Sequence, residues 1–309
     1  MITKGRPWLQ KQIKRIEETN SNFKGDIQKI KNIEPNVFNE FNYWTPLKLA
    51  FLNFTLDVCA IVANKKFERK NYIDLFAGSG INKTKGKYDD FLIGSPFIAL
   101  LNHNKKFTKF FFCESDTAYY NVLKKRIDIL KLDAICYPNK CECKIDEILN
   151  EITKDDKNYN FFFIDPYSLE FSWDCMKKIL NIRSDILITF MTNSLWRTIK
   201  SEESTGNGHD ALNRVFGNDS WKKVKKEEDL IEIYKNNILK ERPDAVMLNT
   251  KIKSKGNFYY DMIFITHKTG GNNPWLDPVR DAKEEIEKHT DEVVKSLLEI
   301  IKKRQKTLC

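Results

Sequence analysis

The sequence predicts an α/β fold around a mostly parallel central sheet, and three observations predict it. Between residues 41 and 200, short apolar runs alternate with segments of helical periodicity. The runs are apolar throughout rather than at every second position, the mark of strands covered on both faces. Three of them end in an acid, at Asp74, Glu114 and Asp165. In an open α/β sheet that carboxyl edge is where ligands bind.

The elements follow in order. Residues 1–40 are rich in charge and predict a basic N-terminal arm, helical or partly mobile. Apolar residues at helical spacing from Asn42 to Val62 predict a helix that starts with Thr45 as its cap and Pro46 in the first turn. A strand is expected over 71–76, a turn at 77–80, a loop over 81–93, and a helix over 97–103 capped by Ser95. Strands over 109–115, 134–138, 160–168 and 185–191 alternate with helices over 117–132, 145–152 and 173–180. Beyond residue 200 the alternation breaks. Residues 201–210 predict a mobile loop, 212–240 helix, and 256–267 a strand. A charged helix is expected over 281–304, with Val293, Leu297, Leu298 and Ile301 as its apolar stripe. The division is an arm (1–40), a cofactor-binding domain (41–200) and a small C-terminal α+β appendage, winged-helix-like in form (201–309).

Composition bounds the function. The 309 residues are 41% hydrophobic and 12% aromatic, enough for a packed core. A net charge of +9 favours phosphate-rich partners such as DNA or RNA. No apolar run is read as membrane-spanning, so no membrane partner is expected, and the N-terminus lacks the apolar stretch of a secretory signal. Seven scattered cysteines argue against a disulfide framework and for a cytoplasmic protein.

The stretch from Asp74 to Gly80 carries the first chemical signal. Glycines at 78 and 80 permit a tight turn and close backbone approach to a ligand, as dinucleotide and S-adenosylmethionine sites both require. The dinucleotide fingerprint fails, because its third glycine is Lys83 and the next strand-end acid, Glu114, comes 34 residues after Gly80. S-adenosylmethionine suits the acids better: its sulfonium and ammonium groups are cations, and a carboxylate at Glu114 has two oxygens for two ribose hydroxyls. Asp165, Pro166 and Tyr167 supply an acceptor for an amine, a stiff bend without an N–H, and an aromatic face for a base. Trp196 and Arg197 are candidates for stacking and phosphate contact. Cys141-Glu142-Cys143 lacks the further ligands that zinc requires, so no metal is expected. The basic runs at Lys222–Lys226 and Lys302–Arg304 are either phosphate contacts or solvated faces, and Cys113 and Cys175 are expected in the core.

These motifs resemble a known group. D-x-F-x-G-x-G, E-S-D and D-P-Y, in this order, resemble class I S-adenosylmethionine-dependent methyltransferases, in particular those that methylate amino groups of nucleic acids. W-T-P-L-K-L (44–49), Y-I-D-L-F-A-G-S-G (72–80), G-S-P (94–96), F-F-F-C-E-S-D (110–116), F-F-F-I-D-P-Y (161–167) and D-I-L-I-T-F (185–190) are similar to the three-Cys-motif partner (TcmP) family. The resemblance implies a Rossmann-like methyltransferase fold with S-adenosyl-L-methionine as cofactor. By position it implies that Asp74, Phe76, Gly78, Ser79, Gly80, Glu114, Ser115, Cys141 and Lys48 border the cofactor, with Thr45 closing over it. Asp165, Pro166 and Tyr167 would face the acceptor amine, and Glu142 would stand in for an acid expected after the third strand. The single proline of D-P-Y departs from the two of amino-group methylases. Three functions stay open: amine methylation on nucleic acid, a catalytically silent protein that binds cofactor or a protein partner, and methylation of a small molecule or protein.

Overall fold

The computed structural model describes residues 6–42, 44–84, 91–103, 105–154, 157–290 and 292–295. Two helices, α1 (Arg6–Asn22) and α2 (Lys24–Asn32), precede a short strand β1 (Asn39–Phe41) and the helix α3 (Thr45–Ala63). The chain continues through β2 (Arg69–Asp74), the antiparallel pair β3 (Ile81–Thr84) and β4 (Phe91–Ile93), α4 (Ser95–Asn102) and β5 (Lys109–Glu114). Then come α5 (Thr117–Ile129), β6 (Ile135–Pro138), α6 (Cys141–Ile152), β7 (Asn158–Ile164), α7 (Trp173–Leu180) and β8 (Asp185–Phe190). The last third holds α8 (Thr192–Thr205), α9 (His209–Phe216), α10 (Asp229–Glu241), β9 (Ala245–Lys253), β10 (Tyr259–His267) and α11 (Asp277–Glu287).

Seven strands form one sheet in the order β6-β5-β2-β7-β8-β10-β9. The five on the β6 side are parallel, and β10 runs antiparallel to both β8 and β9. Numbered by appearance within this sheet, the order is 3-2-1-4-5-7-6, a doubly wound sheet with a reversed strand inserted at one side. A second, three-stranded sheet, β1-β3-β4, lies outside it.

The period of two along each strand divides the core. Tyr72, Phe110, Phe112, Phe161, Phe163, Leu187, Met262 and Phe264 join one cluster with α1, α2, α3, α4 and α11. Ile73, Phe111, Phe162, Ile164, Ile186, Ile188, Ile263 and Ile265 join another with α6 through α10. Burying residues on both faces explains why these strands are apolar throughout.

The structure departs from the sequence expectations in several places. The charged N-terminal segment is two helices whose Trp8, Leu9, Ile13, Ile16, Ile27 and Ile30 are buried in the first cluster. Helix α3 is capped by Trp44 without a side-chain hydrogen bond, so Thr45 is its first residue and not its cap. Gly94, not Ser95, caps α4. The stretch read as a loop over 81–93 contains β3 and β4, and the one read as a loop over 201–210 is the end of α8, a turn at Gly206 and Gly208 with positive φ, and the start of α9. The two strands after residue 201 complete the central sheet rather than building one of their own. Strand β9 had no counterpart in the expectation. Helix α11 ends at Glu287, and Thr290 bridges to Lys253 before a helical turn at 292–295. Leu297, Leu298, Ile301 and the run Lys302–Arg304 lie outside the described residues. Helix α3 is long and apolar enough, by length and composition, to cross a membrane, yet 67% of that stretch is buried as the core helix. Among the described residues six cysteines are free thiols, Cys113 and Cys175 among those buried.

Candidate active site

The alternation that buries the strands also aims their last residues. Asp74 follows Tyr72, Glu114 follows Phe112 and Asp165 follows Phe163 by two positions each, so the three acids leave the sheet on the side of α3 and α4. On the reversed strand the same edge is the start of β10, which brings Tyr260 beside the end of β8. A cavity of about 700 Å³ opens there.

Lys48, Phe76, Gly78, Gly80, Glu114, Ser115, Asp165, Pro166 and Tyr167 all line it, as does Thr45. Asp74 and Ser79 are fully buried and stand outside its lining. The structure does not bring three predicted residues to it. Cys141, at the first turn of α6, is 2% exposed and lines, with Glu142, a small crevice that adjoins the cavity at Phe76, Ser115 and Glu170, and its thiol lies against Cys175. Trp196 and Arg197 are on α8, where Ser194 takes the position facing the cavity; Trp196 instead carries the Lys200 ammonium over its ring. Among the described residues no group of three or more His, Cys, Asp or Glu is placed to hold a metal ion.

Glu114 is held by two backbone donors. The Gly78 N–H donates to its Oε2 at 2.7 Å and the Asp116 N–H to its Oε1 at 2.8 Å. Each oxygen retains another lone pair for a ligand. Burial pushes its pKa up, against the pull of those N–H groups. Asp74 accepts from the Phe76 N–H at 3.2 Å, from Tyr72 at 3.4 Å and from the Ser95 hydroxyl. Burial dominates and pushes its pKa to about 7. Asp165 is paired with the Lys48 ammonium, both side chains about one fifth exposed or less (17% and 20%). Tyr167, by contrast, is 91% exposed at the rim, its N–H donated to Glu170 at 2.7 Å.

The glycines have a reason the sequence did not reveal. Gly78 and Gly80 both have positive φ, as the turn requires. A Cβ at Gly78 would come within 2.6 Å of Asn39 Oδ1, and one at Gly80 within 2.5 Å of the Phe97 ring. The close approach they permit is therefore to the protein itself. Asn39, from β1, accepts from the Ser79 N–H at 2.7 Å and from its hydroxyl at 2.9 Å. The N-terminal segment thus docks on the glycine turn, and Asn39, Glu40, Asn42 and Trp44 become part of the cavity wall. Arg126 locks this arrangement: its buried guanidinium donates to the carbonyls of Ile30, Ile33, Glu34, Val37 and, at 2.8 Å, Ser79. Tyr119, Met191, Phe258 and Tyr260 also line the cavity, and no spacing in the sequence points to any of them.

The lining holds Glu40, Glu114, Asp116, Asp165 and Glu170 with buried Asp74 beneath, against one lysine. Such a cavity attracts a cationic ligand and repels a pyrophosphate. One end is acidic, at the tips of β2 and β5; the other, at the tips of β7 and β8, is walled by Trp44 and Phe258, whose rings lie 4.8 Å apart.

No protein-family profile matches the chain, and no curated protein matches it in sequence. Among solved structures it is similar to protein LPL1258 from Legionella pneumophila, a member of the DUF519 family, at 11% identity and a TM-score of 0.50, over 81% of this chain and 94% of that one. It is also similar to the METTL16 methyltransferase domain (13% identity, TM-score 0.44, 72% of this chain and 69% of that) and to Trm1 from Pyrococcus horikoshii, solved with S-adenosyl-L-methionine (10%, 0.41, 81% and 59%). The first likeness is one of fold. The strand order is that of a doubly wound, Rossmann-like sheet with a single reversed strand.

Proposed function

We propose that this chain is an S-adenosyl-L-methionine-dependent methyltransferase whose acceptor is an exocyclic amine of a nucleic-acid base. One observation carries the reading: segments scattered from residue 44 to residue 189 that resemble methyltransferase motifs converge on a single acid-lined cavity at the carboxyl edge of the sheet. Kinship with TcmP proteins belongs to the same proposal and rests on those segments.

The residues fit the cofactor by their chemistry. Acids at the β2 and β5 tips suit a ligand with a sulfonium and an ammonium, and the remaining lone pairs of Glu114 suit a pair of ribose hydroxyls. When bound, the cofactor supplies a methyl group on a positively charged sulfur. The chain supplies position. Asp165 accepts an amine N–H and so turns the nitrogen lone pair, while Lys48 holds the Asp165 carboxylate in place until the acceptor arrives. Tyr167, exposed at the rim, offers a face to an unstacked base. The net charge of +9 supports a phosphate-rich partner through long-range attraction.

A second reading, a protein that binds cofactor or a protein partner without turnover, has one observation in its favour. The Lys48 ammonium is already paired with Asp165 through Oδ2, so a substrate amine would meet a carboxylate whose charge is already partnered. Calorimetry with S-adenosyl-L-methionine, followed by radiolabel transfer to pooled DNA and RNA, separates the two. Glu114→Gln is expected to weaken cofactor binding by about tenfold or more, through loss of a charged acceptor. Asp165→Ala is expected to abolish transfer and spare cofactor affinity. Transfer that survives Asp165→Ala would overturn the mechanism; binding with no transfer to any nucleic acid would favour the second reading.

A further inference from the structure

Residues 64–67 and 104–107 share the sequence N-K-K-F. The first leads into β2 and the second into β5, neighbouring parallel strands, so both lie at the amino edge of the sheet, opposite the cavity. Lys65 and Lys66 stand in one turn, Lys105 and Lys106 in the other. Thr108 ties the two together: the Lys70 N–H donates to its Oγ1 at 2.9 Å, and its own N–H donates to the Lys70 carbonyl at 2.7 Å. The Lys70 ammonium donates back to the Phe67 carbonyl at 3.1 Å and holds the first turn. Arg183, just before β8, brings its guanidinium over the Phe67 ring, 4.8 Å from the ring centre.

The charge of this edge is one-sided. Lys65, Lys66, Arg69, Lys105 and Arg183 are exposed, and among the described residues none of them is paired with a carboxylate. The acids beside them are already shared by two cations each, Asp57 by Arg15 and Lys106, and Glu151 by Lys109 and Lys154. Between Lys65 and Lys70 the one acid is Glu68. The cavity at the other edge has the opposite sign, so a phosphate backbone is repelled there and attracted here.

Strands β5, β2, β7 and β8 are consecutive in the sheet, so the cations from Lys105 to Arg183 span three strand spacings, about 14 Å at about 4.8 Å each. One strand of nucleic acid carries a charge about every 3.4 Å, so about four successive phosphates match the row. A line of exposed cations without carboxylate partners fits a polymer with one charge per unit better than the scattered carboxylates of a folded acidic protein. The geometry points to the amino edge of the sheet as a binding surface for the phosphate backbone of a nucleic-acid strand, about 20 Å from the cavity along the six residues of β2. This surface rests on nucleic acid being the partner, as in the reading above, and not on methyl transfer.

The test measures the anisotropy of a fluorescein-labelled oligothymidylate of about 20 nucleotides with the full chain, without cofactor, from about 50 to about 200 mM KCl. The edge variant combines Lys65→Gln, Lys66→Gln, Arg69→Gln and Lys105→Gln. It loses four exposed charges without carboxylate partners, so its melting temperature and its affinity for S-adenosyl-L-methionine are expected to match wild type. Its oligonucleotide affinity is expected to fall by about tenfold or more, and the slope of log K against log salt to become shallower by about 3, at about 0.7 per lost contact. A control variant, Lys222→Gln with Lys223→Gln, Lys225→Gln and Lys226→Gln, loses the same charge elsewhere and is expected to bind nearly as wild type. An equal loss in both variants would overturn the proposal, because net charge alone would then explain binding. So would a wild type that does not bind at the lowest salt, or displacement of the oligonucleotide by poly-glutamate of equal charge, which would mark the edge as a site for acidic protein. Edge-dependent binding without methyl transfer would defeat the catalytic reading and leave this surface standing. Transfer to nucleic acid, with the edge variant binding as tightly as wild type, would do the reverse.

Discussion

Asp74 links the cavity to stability in a way that pH can read. Its carboxyl is fully buried, and burial lifts its pKa from 3.8 to about 7 despite donors from Phe76, Tyr72 and Ser95. A folded-state pKa above the unfolded value means that the group contributes stability that is complete below pH 3.8 and is lost as pH climbs through about 7. The gap, at 1.36 kcal/mol per pH unit, is worth about 4 kcal/mol between the two limits. Asp74→Asn keeps the shape and stays uncharged throughout. Urea unfolding of both proteins from pH 5 to pH 8 should show the variant gaining on wild type by about 1.4 kcal/mol per pH unit up to pH 7, then levelling. His103, whose pKa burial pushes down to about 3, changes stability in the opposite sense, but it is present in both proteins and cancels from the difference. A stability difference that stays constant across this range would refute the argument, because it would mean that Asp74 is ionised in the folded protein at all these pH values.

Two further outcomes follow from the same wall. Arg126→Met removes the donors from five carbonyls of the N-terminal segment and the glycine turn, and is expected to cost about 3–5 kcal/mol in urea unfolding; a loss under about 1 kcal/mol would refute the lock. Gly80→Ala forces a Cβ to within 2.5 Å of Phe97 at positive φ, whereas Gly25→Ala, in α2 with open space around it, relieves a helix-interior glycine. The first should lower stability by more than about 1 kcal/mol and the second raise it by about 0.5–1 kcal/mol, and equal effects in thermal melts would contradict the geometry.

What could be seen in advance depended on pattern length. Strands β5, β7 and β8 are buried on both faces, so each shows as an apolar run, and the acids at 114 and 165 stood out at the ends of β5 and β7, as Asp74 did at the end of β2. Helix α7 was legible to the residue because Ser172 caps it and its apolar stripe is clean. Strand β9 was not, because it is an edge strand whose residues are mostly half-buried and read as mixed polarity. β1 and β4 have three residues each, too few for any period. The acidic end of α8 is largely exposed, so Ser201–Thr205 carries no apolar stripe to mark it as helix, and Gly206 in the left-handed conformation closes it. The site residues that landed elsewhere share one cause. Helical rotation turns Trp196 and Arg197 away from the cavity that Ser194 faces, and it turns Cys141 toward α7. Asn39, Trp44 and Tyr260 reach the cavity only through contacts between distant segments, and a single sequence carries no record of those.

The reversed strand has a consequence for how the molecule comes into being. During synthesis the parallel strands from β2 to β8 emerge first, and the edge of β8 stays unpaired until residues 259–267 leave the ribosome, because β9, made earlier, can dock only on β10. Until then β8 offers a bare row of amides and carbonyls flanked by apolar side chains, a template for pairing with other nascent chains. The same late arrival delivers Tyr260 and Phe258 to the cavity. A ribosome stalled before residue 258 would therefore carry a chain with the acidic half of the pocket assembled and Trp44 without its partner ring at the other end.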